Sequence, residues 1–139
     1  MTAVNVTKTI KVTAKDAWET ISSFEGIEKF SPVARSVKTG EGVGALRSCF
    51  MPDDAEIKEE LTGLNNEKMH LQYIITSGPF PFTDYVSDVL VKEVSETTCE
   101  VSWSSQFNVN EGVPEAAMVE LLEGFYNAIM QGLEELVPA

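Results

Sequence analysis

The chain holds a single histidine, His70, and two cysteines, Cys49 and Cys99, in 139 residues. One imidazole cannot build a multi-histidine zinc site, and the cysteines lie outside any C-x-x-C or metal-ligand spacing. Two such cysteines make no disulfide framework either, so the fold rests on its own core. No metal and no cofactor is expected. Bases are also scarce, 10 Lys and Arg against 22 Asp and Glu, for a net charge of −12. Such a surface repels phosphate backbones and anionic lipid, which argues against nucleic-acid and membrane partners. Long apolar runs are missing. Nothing approaches the ~20 apolar residues that span a bilayer, and the N-terminal MTAVNVTKTIKV alternates where a secretion signal would be continuous. A cytoplasmic protein without membrane insertion is the expectation. There is no phosphate loop, no G-x-S-x-G elbow and no H-E-x-x-H helix. The stretch Gly40-Glu-Gly-Val-Gly44 has neither G-x-G-x-x-G spacing nor a helix behind it, and reads as a turn.

What is present fits one domain with a real core. Hydrophobic residues make up 43% of the chain, and no repeat, linker or low-complexity tract divides it, so a single domain is expected over residues 1–139. Val4 to Val12 alternates as a half-buried strand, with Val4, Val6, Ile10 and Val12 on one face. Thr13 then caps a helix whose apolar face is Ala14, Ala17, Trp18 and Ile21, with Asp16 completing a weak capping box. Gly26 and Pro32 punctuate the next stretch, leaving room for a short helix at Ile27 to Phe30. Strands are predicted over 33–38, 46–51, 56–64, 69–76, 85–94 and around Val101 to Phe107. The tail from Pro114 to Leu136 is one long helix, its stripe formed by Met118, Leu121, Leu122, Phe125, Ile129, Leu133 and Leu136. Gly124 and Gly132 interrupt it at about 1 kcal/mol each relative to alanine, which predicts close packing against the sheet. Strands grouped between helices define an α+β class, with a curved antiparallel sheet against the long C-terminal helix and two short helices after the first strand.

The candidate site residues come from side-chain direction. A hairpin turning between Asp53 and Asp54 sets Leu46 opposite Leu61, Ser48 opposite Glu59, Phe50 opposite Ile57 and Arg47 opposite Glu60. Arg47 and Glu60 then form a surface pair, while Glu59 lies between Ile57 and Leu61 on an apolar face. A carboxylate there must find a partner, lose its charge or act on a ligand. In this register no Asp, Lys or His shares the face, so Glu59→Gln should leave folding intact and alter ligand affinity, whereas Glu60→Gln should do neither. Tyr73, Tyr85 and Trp103 have large rings with polar tips, suited to a pocket or equally to plain core. The expected lining is Ser48, Glu59, Tyr73, Tyr85, Ser87, Trp103, Ser105 and Phe107 from the sheet, and Met118, Leu122, Phe125 and Ile129 from the helix. Small-molecule sites typically enclose ~300–1,000 Å³. Catalytic candidates are Glu59 and Tyr85. His70 falls on the polar face and reads as a surface residue.

These pieces together resemble the START-like, Bet v 1-like superfamily, and within it bacterial polyketide cyclase/dehydrase-type (SRPBCC) proteins. The resemblance runs from Val12, Ala14, Ala17 and Trp18 through Gly44-x-x-Arg47 and Ile57-Lys-Glu-Glu-Leu61. It continues in Tyr73-x-Ile75, Pro79-Phe-Pro-Phe-Thr-Asp-Tyr85, Val101-x-Trp103-x-x-x-Phe107 and Gly132-Leu133. Phe30 stands where the family often has a tryptophan before its proline. The resemblance implies a helix-grip fold with a cavity between sheet and last helix, holding a small hydrophobic or lipid-like ligand. Members that bind and members that catalyse share this fold, and the family lends no invariant catalytic set. The expectations are therefore binding or carriage of a small hydrophobic molecule, or a cyclase- or dehydratase-like enzyme using Glu59 and a tyrosine as acid–base groups, or a stress or interaction protein whose cavity is merely filled core. The sequence leaves room for a homodimer.

Overall fold

The computed structural model describes residues 1–136. Strand β1 (Thr2–Ile10) leads through Thr13 into helix α1 (Ala14–Ser22) and a 3-10 turn (Ile27–Lys29). Six strands follow: β2 (Arg35–Thr39), β3 (Leu46–Phe50), β4 (Glu56–Asn65), β5 (His70–Ser77), β6 (Phe82–Glu93) and β7 (Cys99–Val109). Helix α2 (Glu115–Leu136) closes the described chain. The strands form one curved antiparallel sheet in the order β1-β7-β6-β5-β4-β3-β2. This is the helix-grip α+β architecture, with sheet and α2 enclosing the core.

Local chemistry explains the starts and turns. The Thr13 hydroxyl accepts from the Asp16 amide at 3.1 Å, satisfying one of the orphan donors at the α1 N-terminus, and Ala14, Ala17, Trp18 and Ile21 are all buried. Strand β7 alternates as its sequence does, with Val101, Trp103, Ser105 and Phe107 buried. The outer face of the sheet is polar: His70 Nε2 meets Asp88 Oδ1 at 2.9 Å, and the Thr7 and Ser102 hydroxyls meet at 3.0 Å.

Three expectations are corrected. The β3–β4 hairpin slips by one residue, pairing Arg47 with Glu59, Ser48 with Lys58 and Leu46 with Glu60. The reason lies in the turn. Met51 donates to the Ala55 carbonyl at 2.9 Å across a three-residue loop, Pro52-Asp53-Asp54, with Asp54 in the left-handed region at φ 69°. A one-residue slip moves every side chain to the opposite face. Arg47 and Cys49 therefore point inward, Ser48 sits on the outer face, and Leu46 is exposed. Second, the α2 stripe is rotated: its buried residues are Leu122, Tyr126, Ile129, Met130 and Leu133, while Leu121 and Leu136 are exposed. Third, the two helical glycines differ. A Cβ at Gly132 would collide with the Phe30 carbonyl oxygen and lie 2.6 Å from its carbon, whereas a Cβ at Gly124 would meet nothing within 4 Å. Gly132 thus lets α2 approach the backbone of the 3-10 turn rather than the sheet, and Gly124 has no packing reason.

Candidate functional site

The inward side chains of β3 and β4 build one polar cluster on an apolar face. Arg47 donates to Glu59 Oε1 from Nε at 2.7 Å and reaches the same oxygen from Nη2 at 2.6 Å. The Cys49 thiol also points to Oε1, at 3.5 Å. Arg47 is 5% exposed and Glu59 8% exposed, so both charges are buried and each needs the other. Burial works against the Arg47 charge, but Glu59, with smaller contributions from Cys49 and Tyr73, outweighs it and holds the guanidinium proton more tightly than usual. The guanidinium stacks on the Phe24 ring at 4.0 Å and lies 5.4 Å from the Tyr73 centroid. Phe24 reaches that place through a left-handed backbone at φ 58°, which a bulky residue adopts only under constraint. Glu59 is therefore an ion-pair partner, and the isolated carboxylate expected from sequence is corrected.

Beside this cluster lies a chain of hydroxyls. Trp103 Nε1 donates to the Tyr73 hydroxyl at 3.1 Å, the Tyr85 and Tyr126 hydroxyls share a short hydrogen bond, and Tyr126 donates to Ser105 Oγ at 2.8 Å. Burial pushes the Tyr73 phenol up to about 12 and also raises Tyr85 and Tyr126 well above the usual phenol range. Burial, reinforced by the Glu59 charge, pushes the Cys49 thiol up to about 12, so it is no thiolate nucleophile at neutral pH.

Of these groups, Glu59, Cys49 and the three tyrosines border a cavity of about 90 Å³ between the sheet and α2. The expected Glu59, Tyr73, Tyr85, Leu122 and Phe125 line it, joined by Cys49, Ile57 and Tyr126, with Ile27 and Val33 after α1 and Leu121 at the helix side. Trp103, Ser87, Ser105, Phe107 and Ile129 are buried but do not line it. Met118 is half-buried and packs on the core without reaching it, and Ser48 faces away. The volume falls well below the ~300–1,000 Å³ expected, because the tyrosines and Trp103 fill the interior with rings in tilted, edge-on and stacked contact. A larger space adjoins it. Strands β5 and β6 pair only as far as Ile74 and Val86, after which β5 follows β4 and β6 follows β7. Their divergence leaves an open groove of about 550 Å³ that meets the cavity at Ile75, Phe80 and Tyr85.

Sequence reasoning missed Cys49 and Tyr126. Cys49 needed the correct register. Tyr126 had a signal, since it stands at i+4 from Leu122 on the buried stripe. Among the described residues no three His, Cys, Asp or Glu side chains converge as a metal site would require, and no helix is long and apolar enough to cross a membrane.

A curved sheet gripping a long helix, with a polar-floored cavity between them, defines the helix-grip class of ligand-binding folds. The chain belongs to the polyketide cyclase/dehydrase and lipid transport family, whose model matches residues 1–138. Solved structures agree on the fold. The protein XoxI from Bacillus cereus is 28% identical with a TM-score of 0.88, the match covering 99% of this chain and 96% of that one. An uncharacterised protein from Bacillus thuringiensis is 26% identical with a TM-score of 0.87, over 96% of this chain and 97% of the other. Norcoclaurine synthase from Thalictrum flavum, solved with dopamine and hydroxybenzaldehyde, is 18% identical with a TM-score of 0.76, over 97% of this chain and 85% of its own. The last likeness is one of fold.

Proposed function

We propose that this chain binds or carries a small hydrophobic molecule in the cavity between the sheet and α2. The observation that carries the reading is the cavity wall itself: aliphatic and aromatic side chains on nearly every side, with Glu59 and the tyrosine hydroxyls as its few polar groups. Family membership, with lipid transport in its description, supports the same class. A ligand larger than about 90 Å³ needs the cavity to widen, and the first half of α2 offers that freedom. No residue of α2 before Leu122 is buried, whereas Tyr126, Ile129, Met130 and Leu133 anchor the second half. Acid–base catalysis by Glu59 and Tyr85 has less support, because Tyr85 is hydrogen-bonded to Tyr126 and burial holds its proton well above the usual phenol range.

The test uses the neutral fluorescent probe N-phenyl-1-naphthylamine. It should bind with quenching of tryptophan emission, and Phe125→Trp, which adds bulk at the wall, should weaken it about tenfold or more. Unchanged affinity in Phe125→Trp would move the site elsewhere. Native mass spectrometry of protein purified from its source organism should show the natural ligand as added mass.

A further inference from the structure

Arg47 and Cys49 both address one oxygen of Glu59. Arg47 Nε, Arg47 Nη2 and Cys49 Sγ lie 2.7, 2.6 and 3.5 Å from Oε1, and among the described residues nothing donates to Oε2. Among the described residues every side-chain polar atom sealed from solvent has a partner, so Oε2 is not sealed. It belongs to a residue only 8% exposed, and that residue lines the cavity. The neighbouring hydroxyls are already engaged: Tyr73 accepts from Trp103, and Tyr85, Tyr126 and Ser105 bond in a chain.

We propose that Glu59 Oε2 is a recognition subsite for a neutral hydrogen-bond donor, an O–H or N–H carried on an otherwise apolar molecule. This deepens the binding reading above and rests on it. The chemistry discriminates among head groups. A neutral donor meets an acceptor-only oxygen and satisfies it. A carboxylate would set one anion against another, and Arg47 is not placed to rescue it, since its Nε and Nη2 are on Oε1, its face is covered by Phe24 and it does not line the cavity. An ammonium group would add a positive charge to a pair already neutral, in an apolar enclosure. An ether or hydrocarbon of the same shape would strip water from Oε2 and give nothing back.

The test is a titration of the whole protein with phenol, toluene, anisole and benzoate, followed by amide NMR shifts at Leu122 and Phe125. Phenol should bind about tenfold or more tighter than toluene and anisole, and benzoate should not bind. In the double variant Arg47→Met/Glu59→Leu the ratio of phenol to toluene affinity should fall toward one. Equal affinities for phenol and toluene in the wild type, or benzoate binding as tightly as phenol, would overturn the subsite and leave the binding reading standing. A phenol preference that survives in the double variant would do the same. If none of the four shifts those amides, both the subsite and the binding reading fail. Should the double variant not fold, the wild-type series decides alone.

Discussion

Glu59→Gln should cost this protein a large part of its stability. The substitution keeps the shape and one acceptor but removes the charge that Arg47 answers. The guanidinium is left 5% exposed, over the Phe24 ring, with no anion beside it. Removing one partner of a buried pair typically costs ~3–5 kcal/mol, and the remaining amide oxygen places this case near the lower end, about 3 kcal/mol. Unfolding entropy of about 2.1 cal/mol/K per residue over 139 residues converts that into a Tm lower by roughly 10 °C. Calorimetry and urea unfolding read it directly. Glu60→Gln is the control, because Glu60 pairs with Leu46 on the outer face and should stay within about 0.5 kcal/mol of wild type. Replacing both charges, as in Arg47→Met/Glu59→Leu, should recover most of the loss, since apolar replacements of a buried pair are often neutral or stabilising. A Glu59→Gln Tm equal to wild type would mean that the pair does not form as described. It would also restore the isolated carboxylate of the sequence reading.

Three more outcomes are expected. Gly124→Ala, with open space for its Cβ, should stabilise by about 0.5–1 kcal/mol, whereas Gly132→Ala, driven into Phe30, should destabilise by about 1–3 kcal/mol; thermal melts that rank them the other way would contradict the α2 packing. All three tyrosines are buried, and burial raises each phenol, Tyr73 to about 12. A raised folded-state pKa stabilises the protein fully below the unfolded value near ~10 and loses that contribution as pH climbs toward the folded value, so tyrosinate absorbance should stay flat through pH ~10 and rise only with alkaline unfolding. Cys49 and Cys99 are buried, with thiols pushed to about 12 and about 11, so a thiol reagent at neutral pH should label neither until denaturant is added.

What the sequence showed and what it hid divide along a physical line. Strand periodicity, the Thr13 cap and the last strand are local properties, written in residues that touch their own neighbours, and they were legible. The face of β3 was not. Its alternate residues are Leu46, Ser48 and Phe50 against Arg47 and Cys49, so apolar content favours the face that turns out to be external. The deciding fact is a three-residue loop whose left-handed position holds Asp54 instead of the glycine that would have announced it. The rotated α2 stripe has a similar origin. Apolar residues occupy so much of the helix that periodicity admits several faces, and only the burial of Tyr126 and Met130 in the tertiary core selects one.

That single slip in register decides the chemistry of the site. With Arg47 outside, Glu59 would be a lone acid awaiting a substrate. With Arg47 inside, the charge is answered, the cavity is neutral overall, and what reaches it is one carboxylate oxygen without a donor. A neutral, apolar interior with a single open acceptor suits retention of an uncharged ligand better than it suits proton transfer. The inward tyrosines hold their protons tightly, and the thiol of Cys49 does as well. The binding reading proposed above puts the control of entry in α2. Its second half is latched to the sheet by Tyr126 and pressed on the 3-10 turn at Gly132, while its first half has no buried residue before Leu122 and leaves Leu121 exposed at the cavity. A helix held firmly at one end and loosely at the other can admit an apolar molecule without unfolding the grip that keeps it.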